Sequence, residues 1–453
     1  MNIYIHLEVS ARELDYKLLL AVMASAKGHE VIISDLESIV KGLERKLLTP
    51  GIFHTKSLTP SKSKIIKHGK ILDTGCKITS IDEEGGLVDY GYERFVKVRY
   101  SSKTIDQASA VFTWGPEDFK TLKKYYPNHV NKIYMTGSPR VDLWRPNFFS
   151  YWKKKFKSLN KPFLLIPSNI GAGIAVQSLY ERIKLRKKGG YLKREPELLK
   201  QLIQRESEQF KLLGYFIEAI EYLAHQNKNY HIVVRPHPAE SIETWKILLD
   251  KIPNVSVIRD DGVSLWINNA FAILHNGCTT ALEASFFRKP IITYSPFKAN
   301  FSRELANDLG QKVTSLQELS KKVNNIFKKN LKAKKKGEIN KPLPKILVNK
   351  IFADETETAS KKILKIWENI DNKDLSKSNN WFLFKLSLKI MKFNGTLHRI
   401  TKNDPKTNKN FKFPPFEKDK IRFKIDKLRN ILKIKQQLKC EFLSDRTLLI
   451  KRK

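Results

Sequence analysis

The chain has 453 residues, with 84 Lys and Arg against 46 Asp and Glu, a formal net charge of +38, and 41% hydrophobic residues. That length exceeds one ordinary core and suits two domains with an extension, while the hydrophobic content excludes a chain that is disordered throughout. The charge attracts polyanions, whether nucleic acid, an anionic membrane face or a phosphorylated substrate, and by itself does not choose among them.

Cys76, Cys278 and Cys440 lie far apart and form no CxxC pair, which argues against a disulfide framework or a zinc site and for a reducing compartment. The opening Met1-Asn-Ile-Tyr-Ile-His-Leu reads as a strand rather than a signal peptide. No run approaches the roughly 18 apolar residues of a membrane-spanning helix. The expected location is the cytoplasm, with a peripheral position on the inner face of the cell membrane as an option.

In chain order, residues 2 to 7 form a short apolar run, residues 11 to 27 an amphipathic stretch, and Val31-Ile-Ile-Ser-Asp a second buried strand. This is βαβ grammar. Ala108-Ser-Ala-Val-Phe-Thr and Lys132-Ile-Tyr-Met-Thr-Gly read as further strands, and the first unit closes near Asp142. A second α/β unit begins with Phe163-Leu-Leu-Ile-Pro-Ser168-Asn169, a strand running into a glycine-containing loop, and continues with a helix over 206–226 and the strand Tyr230-His-Ile-Val-Val-Arg235. A helix over 241–251 and three short apolar strands at 255, 272 and 290 complete it. The expected fold class is therefore α/β, with a domain over 1–150, another over 151–330, a lysine-rich linker and closing helix over 331–370, and a basic extension over 371–453. From Trp381 to Lys453 the extension holds about 21 Lys and Arg against about 6 acidic residues.

Three places carry residues suited to chemistry. Arg235-Pro236-His237-Pro238 ends an apolar strand, and in open parallel sheets ligands bind outside the carboxyl ends of strands. A histidine there can donate a hydrogen bond or a proton to a leaving phosphate; the plainer alternative is a histidine that merely closes a loop. His275-Asn276-Gly277-Cys278-Thr279-Thr280-Ala-Leu-Glu283 reads as a strand end, a glycine turn, paired hydroxyls and a helix start. Backbone N–H groups at such a start suit an anion, though a simple N-cap explains the same pattern. Glu283 either completes a capping box or accepts a ribose hydroxyl. In the first half, Asp82-Glu83-Glu84 precede Gly85 and Gly86. Adjacent carboxylates beside flexible backbone suit a loop presenting a base to a hydroxyl, mutual repulsion raising one of their pKa values; an acidic surface turn is the plainer alternative.

At these motifs the sequence resembles bacterial GT-B glycosyltransferases that use CMP-activated acidic sugars, the sialic acid and Kdo transferases. Glu83-Glu84-Gly85, His237-Pro238 and Thr279-Thr280 match their acidic pair before glycine, His-Pro and Ser/Thr pair, in that order. The layout over roughly residues 1 to 330 is similar to the surface carbohydrate biosynthesis proteins, with Gly137-Ser-Pro-Arg140-Val-Asp142 in support. The resemblance implies a GT-B-like fold of two facing Rossmann-like parallel-sheet domains. It implies an inverting, metal-independent transferase that moves an acidic sugar from a CMP-activated donor to a surface polysaccharide or lipid-linked glycan, and no cofactor. Glu83 would be the base, with Glu84 competing for that role. His237 would bind or protonate the leaving phosphate. Thr279 and Thr280 would seat that phosphate, and Arg235, Ser168, Asn169, Asn276, Gly277 and Glu283 would complete the nucleotide site.

The Arg-Pro-His-Pro segment also resembles the CDP-glycerol polymerases, and Gly137-Ser-Pro-Arg140 resembles a turn of UDP-sugar 2-epimerases, so a polyol phosphotransferase or an epimerase-like enzyme stands as the alternative. A nucleic-acid-binding protein is the alternative of another class, since +38 is the usual footprint of one. Against it, there is no zinc spacing, RNP-like strand or evident helix-turn-helix. The tail segment from Trp381 to Phe393 mixes apolar and basic residues, so it suits either an anionic membrane or ordinary packing on the body.

Overall fold

The apolar runs of the sequence assemble into two parallel sheets, in a computed structural model that describes all residues except 88–90, 157, 172–173, 189–196, 301–303, 334–342, 355, 371–378 and 403–411. The chain divides into a unit of residues 1–151 with 345–453 and a unit of residues 152–344.

In the first unit the strands are β1 (Asn2–His6), β2 (Glu30–Ser34), β3 (Ile52–Thr55), β4 (Lys77–Ile81), β5 (Ala108–Thr113) and β6 (Ile133–Met135). All six run parallel in the order β2-β1-β3-β4-β5-β6. Two helices matter here, α1 (Ser10–Ala26) and α2 (Leu36–Glu44). Asp35 starts α2 by accepting the Ser38 N–H at 3.1 Å, as an N-cap aspartate does. The sequence suggests an amphipathic α1, but Glu13, Asp15, Tyr16 and Lys17 are buried along with its leucines. Polar groups buried in this way must find partners, and those they find form part of the candidate site.

The second unit holds β7 (Phe163–Pro167), β8 (His231–Arg235), β9 (Val255–Val257), β10 (Ala272–His275), β11 (Ile291–Tyr294) and β12 (Gln311–Val313). They are parallel in the order β12-β11-β10-β7-β8-β9, so β7 lies between β10 and β8. The helix expected over 206–226 is longer, α3 (Leu198–Gln226), and it covers the sheet with Leu213, Phe216, Ala219, Ile220 and Leu223. A two-turn helix, α4 (Thr280–Phe286), follows β10.

The C-terminal part differs from the expected appendage. The helix expected over 355–369 is α5 (Ala359–Asn369), Glu355 lying outside the described residues. Asp142, fully buried, pins its start by accepting Ala359 N at 3.1 Å, Ser360 N at 2.8 Å and Ser360 Oγ at 2.7 Å. Gly137 has φ +78°, and a Cβ there would meet the Phe352 carbonyl oxygen at 2.4 Å. The Gly137-to-Asp142 motif therefore seats the returning chain, which a side chain at 137 would obstruct. Beyond it lie α6 (Trp381–Lys402), α7 (Lys418–Ile431), β13 (Leu438–Ser444) and β14 (Thr447–Arg452). β14 pairs antiparallel with β2, Leu449 opposite Ile32, and β13 pairs with β14. Residues 371–453 thus contribute two strands to the first sheet, which has eight in all. Leu448, Leu449 and Ile450 are fully buried.

Because Leu449 sits in the same core as Tyr4, Ile32 and Phe53, Leu449→Ala is expected to cost about 2 to 5 kcal/mol in urea-induced unfolding of the first unit. A loosely attached tail would leave the midpoint unchanged.

Candidate functional site

The loop after β4 carries the three carboxylates, and its shape is set by Trp114. The Trp114 indole donates to the Asp82 carbonyl at 2.7 Å. A Cβ on Gly85 would come within 2.7 Å of that ring and one on Gly86 within 2.2 Å. The two glycines are therefore a close-approach requirement that lets the loop lie flat on the indole. Arg99 holds Asp82 through two parallel bonds of 2.9 and 2.8 Å, the bidentate geometry that arginine favours.

Glu83 and Glu84 then go to different environments. Glu84 is half-exposed and bonded by Arg12 at 2.5 Å; burial works against its charge, but Arg12, Arg140 and Arg99 hold its pKa below the usual carboxylate range. Glu83 is buried, accepts a hydrogen bond from Tyr16, and lies 3.9 Å from the Lys17 ammonium. Lys17 is closer to Glu13, at 2.6 Å, and also donates to the His6 carbonyl at 2.5 Å. One lysine thus serves two buried carboxylates and sits nearer to Glu13. Burial pushes the Glu83 pKa well up, and the charge of Glu13 adds to the push, Arg12 and Arg140 opposing it. For Glu13 burial raises the pKa, yet Lys17 and Lys56 outweigh it and hold the group ionised. Such divergence between neighbouring carboxylates separates a proton holder from a fixed charge.

In the second unit the expected residues gather at the carboxyl end of the sheet. Ser168 and Asn169 follow β7, the central strand; Ser168 is buried, and Asn169 donates to the Gly277 carbonyl at 3.1 Å across to the end of β10. Asn276 donates to the Tyr294 carbonyl at 2.7 Å, and Gly277, at φ +63°, donates to Asn307 at 2.7 Å. His237 is exposed. Its Nδ1 accepts the Ala239 N–H at 3.1 Å, so the neutral ring carries its proton on Nε2.

Several of these residues hold the scaffold in ways the sequence does not show. Arg235 is buried, with its pKa lowered to about 10 by burial. Its two Nη atoms donate to the Asp260 and Asp261 carbonyls at 2.7 and 2.5 Å, which ties β8 to that turn. Glu283 is buried and accepts Ser264 Oγ at 2.7 Å, and no capping box forms. Thr279 stands at the N-cap of α4 in helical geometry without a side-chain cap bond, and the Thr280 hydroxyl donates to Cys278 Sγ at 3.0 Å. The N-cap alternative for the paired threonines is thereby corrected: the Thr279 backbone is already helical, whereas a capping side chain needs extended backbone.

The sequence reading misses five residues. Glu240 is fully buried and accepts from Gly171 N at 2.8 Å, His237 N at 3.1 Å and the Trp245 indole at 3.0 Å. It joins the loop after β7 to the turn that carries His237, and two residues separate it from that histidine. Arg12, Glu13, Tyr16 and Lys17 also escape notice, although charges at 12, 13 and 17 in an otherwise leucine-rich helix beginning just after β1 are a visible signal. Among the described residues no group of three His, Cys, Asp or Glu side chains forms a metal-binding set.

No family model matches the chain, and no curated relative matches it. Among solved structures it is similar to UDP-GlcNAc 2-epimerase from Methanocaldococcus jannaschii in complex with UDP-GlcNAc and UDP, at 15% identity over 82% of this chain and 100% of that one, TM-score 0.46. The Neisseria meningitidis UDP-GlcNAc 2-epimerase bound to UDP-GlcNAc matches at 12% identity over 82% and 100%, TM-score 0.45. The E. coli ADP-heptose lps heptosyltransferase II matches at 11% identity over 73% and 99%, TM-score 0.36. Likenesses this distant decide nothing about activity. The strands themselves define an α/β protein with two Rossmann-like parallel-sheet units, the sheet plan of a GT-B-like fold.

Since three donors depend on Glu240, Glu240→Ala is expected to lower the stability of the second unit by about 3 kcal/mol, each orphaned buried donor costing about 1 to 3 kcal/mol before relaxation. Glu240→Gln, which keeps one acceptor oxygen, is expected to cost less. Equal unfolding midpoints for wild type and Glu240→Ala would show that the loops hold without it.

Proposed function

We propose that the protein is a nucleotide-sugar-dependent, inverting glycosyltransferase that moves an acidic sugar from a CMP-activated donor to a glycan or glycolipid acceptor. The observation that carries the proposal is the placement of Glu83, a buried carboxylate just after β4 that accepts from Tyr16 next to the Arg12-paired Glu84; burial and the charge of Glu13 raise its proton affinity. A base works best when its pKa lies near the working pH, and this favours Glu83 over Glu84. Glu84, ion-paired with Arg12, is the weaker base and is assigned to holding Arg12 in place.

In this reading the first unit activates the acceptor. Ionised Glu83 takes the proton of the acceptor hydroxyl as the oxygen forms its bond to the anomeric carbon. The bond from that carbon to the phosphate oxygen breaks, and the electron pair leaves with the nucleotide. The second unit holds the donor. His237, neutral with its proton on Nε2, donates a hydrogen bond from that nitrogen to the departing phosphate. The Thr279 and Thr280 turn, with Ser168, Asn169, Asn276 and Gly277 around it, is the seat of that phosphate. Arg235 and Glu283, committed to Asp260, Asp261 and Ser264, act by keeping the strand ends in position. The CMP assignment rests on the match of Glu83-Glu84-Gly85, His237-Pro238 and Thr279-Thr280 to the CMP-sugar transferases.

The test is a thermal-shift series with CMP, CDP, UDP and GDP, followed by transfer assays with CMP-sugars. CMP at about 100 times its Kd is expected to stabilise the chain by about 2.7 kcal/mol. Stabilisation by UDP alone would move the protein towards the epimerase-like alternative, and by CDP alone towards polyol phosphate transfer. Glu83→Gln and His237→Ala are expected to lower kcat by about 10² to 10⁴, and Glu84→Gln by less than about tenfold. Because the base must be unprotonated, the rate should fall as pH drops through a pKa above the ordinary glutamate value of about 4.3.

A further inference from the structure

One helix of the first unit shows two apolar faces, of which the body covers one. In α6 (Trp381–Lys402), Phe384 and Leu388 are buried against Ile39, Val40, Leu43 and Leu443, and Ser387 accepts a hydrogen bond from Arg45 at 2.9 Å. The packing is tight, since a Cβ on Gly42 would come within 2.6 Å of the Phe384 ring. The opposite face carries Phe382, Leu386, Ile390 and Phe393, which are 77%, 46%, 49% and 68% exposed, with Leu383 beside them. At about 100° per residue, positions 382, 386, 390 and 393 fall within one arc of the helix, so these side chains form a continuous stripe. Single exposed apolar residues are ordinary, but a continuous stripe of large ones marks a surface that something covers.

The charges beside the stripe select what covers it. Trp381 to Lys402 contains no Asp or Glu, and Lys385, Lys389 and Lys392 lie along one flank of the stripe. Lys392 pairs with Asp445 at 3.1 Å, whereas Lys385 and Lys389 have no ion pair among the described residues. The basic helix Lys62–Leu72 differs: its Lys67 and Lys70 are neutralised by Glu37 and Glu44. A second protein would be expected to offer discrete carboxylates to such lysines. An anionic lipid surface offers both requirements along the whole length of the helix, acyl chains for the aromatic and aliphatic stripe and headgroup charge for the ammonium groups. No described helix is long and apolar enough to cross a membrane, so insertion would stop at the interface.

We propose that α6 is a membrane-surface helix that docks the protein on anionic lipid through Phe382, Leu386, Ile390 and Phe393, with Lys385 and Lys389 at the headgroups. The proposal is independent of the reaction assigned above. It is tested by co-sedimentation of the full chain with vesicles of phosphatidylcholine alone or with 30 mol% phosphatidylglycerol, at low and high salt. Binding is expected only to the anionic vesicles, to weaken with salt, and to drop at least tenfold in Phe382→Ser/Leu386→Ser/Phe393→Ser and about threefold or more in Lys385→Gln/Lys389→Gln. All the substituted side chains are exposed, and unchanged melting curves would confirm that the variants fold. Vesicle binding that persists undiminished in the triple variant would overturn the proposal, as would no binding by the wild type. So would a concentration-dependent dimer that the triple variant abolishes, which would assign the stripe to a second copy of the chain.

Discussion

The first unit depends on how one lysine is shared between two buried carboxylates. Lys17 lies 2.6 Å from Glu13 and 3.9 Å from Glu83, all three side chains being nearly inaccessible to water. Two carboxylates ionised side by side in this interior would repel each other, with Lys17 and Arg12, the latter 3.5 Å from Glu13, as the nearby cations. Burial and the charge of Glu13 raise the proton affinity of Glu83, with Arg12 and Arg140 opposing. The Tyr16 hydroxyl and the position of the loop on Trp114 then hold the protonatable group at the carboxyl end of the sheet, where parallel α/β proteins bind ligands. The same residues thus decide a stability problem and create an acid-base group.

The second unit solves a different problem, which is to hold flexible strand ends still without regular structure. It does so with buried charged groups whose partners are mainly backbone. Glu240 gathers the N–H groups of Gly171 and His237, and Arg235 gathers the carbonyls of Asp260 and Asp261. Polar groups fixed in this way by the chain itself serve the scaffold rather than a ligand. Arg235 is therefore better understood as the support of the Arg-Pro-His-Pro turn than as a phosphate ligand.

Much of the architecture is legible in the sequence because buried parallel strands are short, apolar and end in small residues. β1, β2, β5, β6, β7, β8, β9, β10 and β11 all announce themselves in that way. β3, with His54 and Thr55 in four residues, and β12, Gln-Lys-Val, do not. The C-terminal hairpin is hidden by its lysines: residues 371–453 read as a basic extension, although Leu448 to Ile450, between Lys439 and Lys451, pair with β2 in the first sheet. Asp142 illustrates a limit of another kind, since its partners lie more than two hundred residues away. For the candidate site, the positions of Glu83, His237 and Thr279 at strand ends follow from local pattern. The partition of Glu83 from Glu84 does not, because it is made by Arg12, Glu13 and Lys17 on a helix some seventy residues earlier.

The candidate site turns on the raised proton affinity of Glu83, which comes from burial and the charge of Glu13. Its most direct test is a pH titration of the chain carrying ¹³C-labelled glutamate, followed through the side-chain carboxyl resonances. One resonance, absent from Glu83→Gln, is predicted to titrate well above the ordinary value of about 4.3, and to move down in Glu13→Gln, which removes the neighbouring negative charge. If the Glu83 resonance titrates with the exposed glutamates, the account of this site is wrong.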